Sequence, residues 1–198
     1  MSDTTLTLTP NPAQQKAALR QKIKELQTAE PQDYAAMGVM MAVRVITRPE
    51  WITARKIFLF LGAAHEPDTL PLVRAAFAGG KLVYVPRILE NGQMEAVGIT
   101  NLTDLVPGPY GILTAGENAP VCKPEDLQLA VMPCLAASPT GQRLGHGAGY
   151  YDRWLTRFRG TKMVLCPDHL LFAHIPTEPT DVDADLVISE NDTYLATK

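Results

Sequence analysis

The chain has 198 residues, 46% of them apolar and 20% charged, and its formal net charge is −3, as in an ordinary globular protein. These values exclude long disorder and argue against nucleic acid as the main partner, although they leave room for a local basic pocket that binds a nucleotide. Three widely spaced cysteines, a polar N-terminus and the lack of a long apolar run argue against a disulfide framework, a signal peptide and a membrane span, so we expect a cytoplasmic protein.

The first part of the chain is predicted to be helical. Residues 1–12 are rich in threonine and proline and are interpreted as a loose lead-in. The stretch from Ala13 to about Thr28 consists largely of strong helix formers, with apolar residues at helical spacing. A second helix is predicted from a cap at Asp33 to about Thr47. Lys16 and Arg20 share one face of the first helix, which by itself indicates only a solvated basic face.

A β-α-β pattern follows these helices. Ile57–Leu61 is a continuous apolar run, typical of a strand that is buried on both faces of a parallel sheet. Asp68 is the predicted cap of a helix that runs to about Ala78. Leu82–Val85 is the next predicted strand, and Pro86 is expected to stop it. Two strands separated by a helix indicate a crossover unit.

The second half of the chain supplies a turn, a helix and further strands. Residues 90–93 are typical of a hairpin turn, and an amphipathic helix is predicted from Tyr151 to Phe158. The further strands are 129–132, 162–166 and 186–188. Since no repeat or linker interrupts the pattern, we expect one three-layer α/β/α domain over residues 1–198 with a mostly parallel central sheet. The oligomeric state stays open, with a monomer as the simpler expectation.

A glycine-rich segment, R-L-G-H-G-A-G-Y-Y-D-R, occupies residues 143–153 between a predicted strand and a predicted helix. Glycines at alternate positions let backbone N–H groups approach a phosphate closely. The start of the following helix adds free N–H groups and the positive end of a dipole. Arg143 is suited to bind phosphate oxygens with two nitrogens, and Asp152 is suited to hold a magnesium ion. The segment therefore predicts an ATP-phosphate-binding loop.

The glycine spacing alone does not decide the function. Many G-x-G-x-G stretches are only tight turns, and this one is neither a Walker A loop nor a dinucleotide fingerprint in its usual position. Ser138 and the cysteines have no base partner visible in the sequence, so a hydrolase triad is not supported. No partner is visible either for the histidines, which are His65, His146, His169 and His174. The residues around the glycines are therefore needed to identify the function of this segment.

Those neighbours carry a resemblance to a known family. Residues 143–153 resemble the signature of the 5-formyltetrahydrofolate cyclo-ligases, also called 5,10-methenyltetrahydrofolate synthetases. Lys16 and Arg20 look like the family's N-terminal basic pair, and the resemblance continues through segments 60–69, 80–87 and 175–190. It implies a Rossmann-like fold similar to that of CoA transferases. It also implies a ligase that uses ATP and Mg²⁺ to act on a reduced folate.

The resemblance implies roles for single residues as well. Catalytic roles fall to Lys16, Arg143 and Asp152. ATP binding falls to Lys16, Arg20, Arg143, Leu144, Gly145, His146, Gly147, Ala148, Gly149, Tyr150 and Tyr151. Folate binding falls to Leu61, Glu66, His146, Gly147, Ala148, Gly149 and Tyr150, and the magnesium ligands are Asp152 and Asp181. Without the resemblance, Glu66 would be a surface carboxylate, Leu61 a core residue and Asp152 a first-turn helix acid.

Several segments depart from the family pattern. The family usually has Leu-Ala-Phe-Asp where this chain has Leu135-Ala136-Ala137-Ser138, and often Met-x-Phe where it has Met94-Glu95-Ala96. The usual Ile-x-Glu-Pro is replaced by 112–115, and the usual His-Asp by Thr180-Asp181. Alanine in place of a large aromatic residue would widen or reshape an apolar pocket. The departures predict an intact ATP side and an altered folate side.

The implied reaction is an ATP-driven ring closure. The formyl oxygen of 5-formyltetrahydrofolate attacks the γ-phosphate of ATP, N10 attacks the phosphorylated intermediate, and phosphate leaves to give 5,10-methenyltetrahydrofolate. The protein supplies positioning and charge neutralisation and needs no covalent nucleophile. Two alternatives stay open: a diverged ATP-using enzyme of the same family with another small substrate, and a nucleotide-binding module without catalysis.

Overall fold

The computed structural model describes residues 11–29, 31–90 and 92–196. The described part holds five α-helices: α1 (Pro12–Ala29), α2 (Tyr34–Ile46), α3 (Pro49–Thr53), α4 (Leu70–Ala78) and α5 (Tyr150–Leu155). It also holds twelve strands: β1 (Lys56–Leu59), β2 (Leu82–Ile88), β3 (Met94–Ile99), β4 (Leu105–Pro107), β5 (Leu113–Ala115), β6 (Val121–Cys122), β7 (Leu129–Met132), β8 (Ala136–Ala137), β9 (Arg143–Leu144), β10 (Thr161–Leu165), β11 (Leu186–Ile188) and β12 (Thr193–Leu195). Most of the predicted lead-in, residues 1–12, lies outside the described residues, and α1 begins at Pro12.

Eight strands form one central sheet in the order β12-β11-β10-β7-β1-β2-β3-β6. The five strands from β11 to β2 in this order are parallel, as the buried apolar runs predicted. The outer strands β12, β3 and β6 are antiparallel to their neighbours. The prediction of an α/β fold with a mostly parallel sheet is thus confirmed.

Helices cover both faces of the sheet. Ile57 and Leu59 of β1 point to the face that carries α2, α3 and α4, where all three helices join one apolar cluster. Phe58, between them, points to the opposite face and packs in a second cluster with Ile23 of α1 and Trp154 of α5. This alternation along a single strand is the period of two expected for side chains in a sheet. It produces the three predicted layers.

Several predicted boundaries were wrong. β1 ends at Leu59, although the N–H of Phe60 still donates to the carbonyl of Val131 over 3.2 Å. The cap of α4 is Thr69 rather than Asp68, whose Oδ1 instead accepts from the N–H of Leu70 at 2.9 Å. Asp33 does cap α2, as predicted, by accepting from the N–H of Ala36. Cap residues next to each other compete for the same few N–H groups, which a sequence pattern does not resolve.

Pro86 does not stop its strand. It lies inside β2, paired with Ala96 of β3, and its carbonyl accepts from Thr114 Oγ1 at 2.7 Å. The parallel partner β1 pairs only with the earlier part of β2, as far as Tyr84, so the missing N–H of Pro86 interrupts no ladder with β1. The prediction failed because a proline is tolerated in a strand where no neighbour requires its N–H group.

The helix predicted from Tyr151 to Phe158 is also shorter than expected, since α5 spans only Tyr150–Leu155. Phe158 still packs on the core, stacked on Trp154 with ring centroids 5.4 Å apart.

No helix in the described ranges is long and apolar enough to cross a membrane.

The chain changes direction across the sheet beside β1. It runs from β1 through α4 to β2 on one side, and β7 later pairs with β1 on the other side. Loops that leave β1 and β7 at their carboxyl ends therefore diverge and open a crevice, which is the usual ligand site of an open α/β sheet.

Candidate functional site

A cavity of about 1090 Å³ lies at this crevice. Its wall includes residues that follow β1, such as Leu61 and Glu66, and residues that follow β7, such as Pro133 and Cys134. All residues that the sequence singled out for binding or catalysis line it: Lys16, Arg20, Leu61, Glu66, Arg143, Leu144, Gly145, His146, Gly147, Ala148, Gly149, Tyr150, Tyr151, Asp152 and Asp181. The structure thus brings together residues that are up to 165 positions apart in the chain.

The glycine loop is carried by a small hairpin and not directly by a strand of the central sheet. After β7 the chain forms β8 and β9, paired through Ala136–Leu144 and Ala137–Arg143. Ser138 sits in the turn of this hairpin, buried, with its Oγ 2.8 Å from Thr140 Oγ1. The hairpin sets the direction in which the loop leaves β9 and enters the cavity. Because Ser138 belongs to the turn of the hairpin and bonds within it, we assign it no role as a nucleophile.

Each glycine of the loop faces an arginine. A Cβ added to Gly145 would lie 3.7 Å from Nη1 of Arg143, and one added to Gly147 would lie 3.4 Å from Cζ of Arg20. At Gly149 the added atom would lie only 2.7 Å from Nη1 of Arg153. Gly147 and Gly149 also have φ angles of 102° and 68°, which residues with a side chain rarely adopt. The glycines therefore let three guanidinium groups approach the loop backbone.

Arg143 is the most deeply buried of these arginines, with only 4% of its side chain exposed. Its Nη2 donates to Oδ1 of Asp152 over 2.7 Å, and its guanidinium carbon lies 5.5 Å from the ring centre of Tyr151. Its Nε is buried and has no hydrogen-bond partner among the residues that the structure describes. An unsatisfied buried donor of this kind is costly unless a ligand or water completes it. Arg143 therefore lines the cavity with one buried donor that the described residues leave unpaired.

Lys16 is buried rather than part of a solvated face. Its Nζ lies 2.5 Å from Oδ2 of Asp181 and 2.8 Å from Oε2 of Glu178. Burial acts to lower the pKa of Lys16, but the hydrogen bonds with Asp181 and Glu178 outweigh it and raise the pKa above the ordinary value of 10.5. Lys16 therefore keeps its charge at neutral pH and joins α1 to the segment that contains Asp181.

Arg20 lies one turn further along α1 and touches the glycine loop directly. Its Nε donates to the carbonyl of Gly145 over 2.9 Å. The bond fixes Nε and leaves the two terminal nitrogens of the guanidinium group for another acceptor. Lys16 and Arg20 thus approach the cavity from the same helix face, as their spacing of four residues predicted.

A contact between Glu66 and His146 joins the two sides of the cavity. Glu66 Oε2 accepts from the N–H of Ala63 at 3.0 Å, and its Oε1 lies 3.6 Å from Nε2 of His146. The absence of a visible partner for His146 in the sequence was therefore misleading, because Glu66 follows β1 and is 80 positions away.

Burial, followed by the charge of Glu66, raises the pKa of the Tyr151 hydroxyl, which stays protonated at neutral pH.

The two predicted metal ligands each have an oxygen to spare. Within residues 11–29, 31–90 and 92–196, the hydrogen bonds of Asp152 go to Oδ1 and those of Asp181 go to Oδ2. Three or more His, Cys, Asp or Glu side chains are nowhere grouped around a common point in this part of the chain. Two carboxylates suit Mg²⁺, which keeps several waters and takes its other ligands from substrate phosphates. The residues present therefore fit the ion that was expected.

The remaining wall of the cavity is apolar. It is formed by residues from the ends of β1, β2 and β3 and from the segment between β4 and β5, namely Phe60, Leu61, Pro86, Ile88, Met94, Pro109 and Ile112. Ala96 and Ala137, the two alanines at positions where the family has aromatic residues, are fully buried in the second core cluster and do not line the cavity. They therefore do not widen the cavity at its surface, and an effect on its shape through the packing behind the wall stays a prediction.

Sequence reasoning missed several residues of the site. Glu178 and Arg153 line the cavity and make the contacts described for Lys16 and Gly149. Arg153 stood inside the signature, and Glu178 lies three positions before Asp181, whose Oδ2 accepts from its N–H over 2.7 Å. A carboxylate in a turn next to a predicted ligand was a usable signal. The apolar residues carried no signal, since core positions have the same composition.

The chain is similar to known proteins over most of its length. A sequence model of the 5-formyltetrahydrofolate cyclo-ligase family matches residues 12–190. The 5-formyltetrahydrofolate cyclo-ligase of Mus musculus is 25% identical over 190 residues, which cover 89% of this chain and 94% of that protein. The protein of the same name from Escherichia coli K12 is 28% identical over 168 residues, covering 80% and 91%.

A solved structure shares the fold. The 5,10-methenyltetrahydrofolate synthetase of Aquifex aeolicus superposes with a TM-score of 0.82 at 23% identity, over 92% of this chain and 93% of that one. Since the family match also spans nearly all described residues, the chain belongs to the 5-formyltetrahydrofolate cyclo-ligase family.

Proposed function

We propose that this protein converts 5-formyltetrahydrofolate to 5,10-methenyltetrahydrofolate, with conversion of ATP to ADP and phosphate and with Mg²⁺ as the required ion. The observation that carries the proposal is the set of cations around the glycine loop. Arg143 has a buried donor without a partner, and Arg20 and Lys16 approach the same cavity from α1. The wall also holds four carboxylates, those of Glu66, Asp152, Glu178 and Asp181, so its charges are balanced. Cationic donors beside carboxylates that suit a divalent cation fit a polyphosphate that binds together with Mg²⁺.

The charge around the loop comes from side chains more than from the following helix. α5 has only six residues, so its dipole is small compared with the guanidinium groups beside the loop. Arginine is well matched to phosphate because its planar fork donates two parallel hydrogen bonds. We infer that Arg143 and Arg20 hold the phosphates of ATP while the loop backbone donates from between them.

The proposed reaction begins with attack of the formyl oxygen on the γ-phosphorus of ATP, and the bond to the bridging oxygen of ADP breaks. The formyl carbon then carries a phosphate leaving group. Attack by N10 on this carbon closes the ring, phosphate departs with the former formyl oxygen, and the proton of N10 leaves with the phosphate. In such a phosphoryl transfer the protein acts mainly by positioning and by neutralising charge on the transferred group. Lys16 and Arg143 are the residues we assign to that neutralisation.

Asp152 and Asp181 are the proposed magnesium ligands, and the bound ion would neutralise charge on the phosphates. Both carboxylates are held in place from within the protein. Asp152 is fixed by Arg143 and by the N–H of Val182, and Asp181 by Lys16 and the N–H of Glu178. Each ligand is therefore oriented by the same cations that face the phosphates. This arrangement supports a site in which the metal and the nucleotide bind together.

The apolar wall is our proposed folate side. Flat rings are bound by apolar and aromatic surfaces, and Ile88, Met94 and Leu61 belong to such a surface in the same cavity as the charged loop. Tyr150, the first residue of α5, also lines the cavity. Glu66, which is only 12% exposed, supplies an acceptor at the border of this surface. We infer that the folate lies along this wall with its formyl group towards the loop.

The test is a turnover assay with the purified full chain, 5-formyltetrahydrofolate, ATP and Mg²⁺, which follows the near-ultraviolet absorbance of the methenyl product. ADP is measured in parallel, and we expect one ADP for each product molecule. Product without ADP would contradict the ATP-driven mechanism. ADP release only with a different formyl or carboxyl compound would identify a diverged family member. Binding of ATP without any turnover would identify a nucleotide-binding module.

The proposal also includes the cellular compartment and the oligomeric state of the enzyme. The three thiols, of Cys122, Cys134 and Cys166, are buried and free, which suits a reducing compartment such as the cytoplasm. The cavity is built from one chain, so we expect a monomer to be active. Activity that depends on protein concentration in the nanomolar to micromolar range would contradict this expectation.

A further inference from the structure

Arg153 makes two backbone contacts that none of the roles above uses. It is an exposed residue of α5, and its Nη1 donates to the carbonyl of Ala148 over 2.9 Å. Its Nη2 donates to the carbonyl of Gly92 over 2.6 Å, across 61 positions of the chain. One guanidinium group thus bonds to the glycine loop and to a hairpin tip at the same time.

The loop is shaped to admit this guanidinium group. Gly149 has a φ of 68°, and a Cβ at this position would lie 2.7 Å from Nη1 of Arg153. The guanidinium carbon also lies 5.5 Å from the ring centre of Tyr150, a distance that suits a cation–π contact. Arg153 is therefore held by a recess, a ring and two carbonyls, which is more than a freely solvated surface arginine has.

The other end of the bridge is the tip of the β2–β3 hairpin. This tip is closed by backbone bonds from Leu89 to Gln93 at 2.9 Å and from Gly92 to Leu89 at 3.0 Å. Ile88 and Met94, the last residue of β2 and the first of β3, both line the cavity. The hairpin tip and the glycine loop are thus two walls of one cavity, and Arg153 connects them.

We propose that Arg153 is a positioning residue that fastens the glycine loop to the tip of the β2–β3 hairpin and so sets the distance between the two walls. Its effect on folate binding rests on the function proposed above, whereas the fastening itself does not. Without the bond to Gly92, the hairpin tip moves independently of the loop, and Ile88 and Met94 no longer meet the ligand at a fixed distance from Tyr150. Small displacements of this kind lower catalytic rates strongly because the reacting groups lose alignment.

Hydrogen–deuterium exchange tests the fastening independently of any activity. In Arg153→Ala we expect faster exchange in both segments, 89–94 and 145–150, with little change in the remaining sheet, because local opening then precedes global unfolding. Arg157→Ala is the matched control. Arg157 is also exposed, but it pairs with Glu125 over 2.7 Å and does not line the cavity. Unchanged exchange at 89–94 in Arg153→Ala, or equal changes in both variants, would overturn the proposal.

Steady-state kinetics tests the consequence for the ligand. We expect Arg153→Ala to raise the KM for the folate about tenfold while the Kd for ATP changes less than about threefold, because Lys16, Arg20 and Arg143 remain. Arg153→Lys is expected to fall between, since one ammonium group cannot reproduce the planar fork. An equal effect on both substrates would overturn the proposal. If the wild type does not turn over the folate, the proposed function fails, and the exchange experiment still decides the fastening.

A double-mutant cycle with Gly149→Ala sharpens the result. The methyl group displaces Arg153 from its recess, so this single change should reproduce most of the loss seen in Arg153→Ala. Once Arg153 is absent, adding Gly149→Ala removes nothing further from the bridge and adds only backbone strain. We therefore expect the double variant to be less impaired than the product of the two single effects. Strictly multiplicative effects would show that Gly149 and Arg153 act separately and would overturn the proposal.

Discussion

The two walls of the cavity are built in different ways. The charged wall is linked by short polar contacts, as in Lys16 with Asp181, Arg143 with Asp152 and Arg20 with the carbonyl of Gly145. The apolar wall, by contrast, consists of side chains such as Leu61, Ile88 and Met94 that pack without any directional bond. One wall is therefore specified by geometry and charge, and the other by volume and shape.

This difference teaches where each kind of recognition tolerates change. Charge-assisted hydrogen bonds need particular atoms at particular distances, and the loss of one partner leaves the other buried and unpaired. An apolar surface tolerates exchange among residues of similar volume at small cost. We therefore expect single changes in the charged wall to have large effects, and changes in the apolar wall to have graded effects on one substrate only.

The largest effect is expected from Arg143→Ala. Turnover should fall by about 10² to 10³, as for the loss of one transition-state donor, and stability should also fall because Asp152 loses its buried partner. The measurement is kcat by the methenyl absorbance, with the melting temperature alongside. Lys162→Ala is the control, because it breaks a half-buried pair with Asp185 outside the cavity whose length, 2.8 Å, is close to the 2.7 Å of the Arg143–Asp152 pair. Similar kinetic losses in both variants would remove the distinction between the walls.

A smaller effect is expected from Gly147→Ala. The new methyl group would meet the guanidinium of Arg20 at 3.4 Å, and the backbone with φ of 102° is strained for alanine. We expect the variant loop to relax from this conformation, and restoring it on binding costs about 1 to 2 kcal/mol, which lowers the ATP affinity about five- to thirtyfold, measured by calorimetry. Gly116→Ala serves as the control, because nothing lies within 4 Å of its added Cβ. An unchanged affinity in Gly147→Ala would show that the glycine only shapes a turn.

Ile88→Ala tests the apolar wall. Removing its side chain should raise the KM for the folate about five- to tenfold, since about 1 kcal/mol or slightly more of apolar contact is lost, and should leave ATP binding unchanged. Leu82→Ala is the control on the same strand, as Leu82 is 54% exposed and lies away from the cavity. A weaker binding of both substrates would mean that the two walls are not energetically separate.

The smallest effect concerns pH and stability. The pKa of Lys16 is raised on folding, so its pair stabilises the fold fully below about pH 10.5 and loses this contribution as the pH rises through the raised pKa. The difference in unfolding free energy between wild type and Lys16→Met should therefore stay constant from about pH 7 to pH 10 and shrink above that range.

For Lys81 we expect stability to change with pH in the opposite direction. Burial lowers its pKa, so its charged form favours the unfolded chain, and the stability of the wild type relative to Lys81→Met should rise as the pH approaches 10.5. Urea titrations of both pairs of proteins at several alkaline pH values provide the measurement. If both differences in unfolding free energy, that for Lys16→Met and that for Lys81→Met, changed in the same direction with pH, the cause would be general alkaline unfolding and not the ion pair of the charged wall.

The sequence predicted the charged wall better than the apolar wall, for a physical reason. Phosphate recognition uses few residue types at short spacings, so the 143–153 segment stood out, whereas Lys16 and Arg20 were singled out only by the family resemblance. Their meeting with the loop could not be computed from the sequence. Ile88 and Met94 flank the tip of the β2–β3 hairpin, which only the packed structure brings beside the loop. Ala96 and Ala137 misled the prediction because a position near a pocket in sequence is not always on its surface.

The fold was predicted at the level of strands and layers, and the errors lay at their ends. Buried apolar runs identified β1, β7, β10 and β11, since strands covered on both faces have no polar alternation. The antiparallel strands at the edges were missed or left as loops, because they are short and partly exposed. Pro86 shows that a residue rule fails where the partner strand does not use the missing donor.

The ion pair between Lys16 and Asp181 has a consequence for how the protein is made. Lys16 is synthesised 165 positions before Asp181. At about 5 to 20 residues per second this separation is on the order of ten seconds or more. During that time the growing chain holds Lys16 without its carboxylate partners. A nascent chain therefore cannot complete the charged wall of the cavity before Asp181 has been translated.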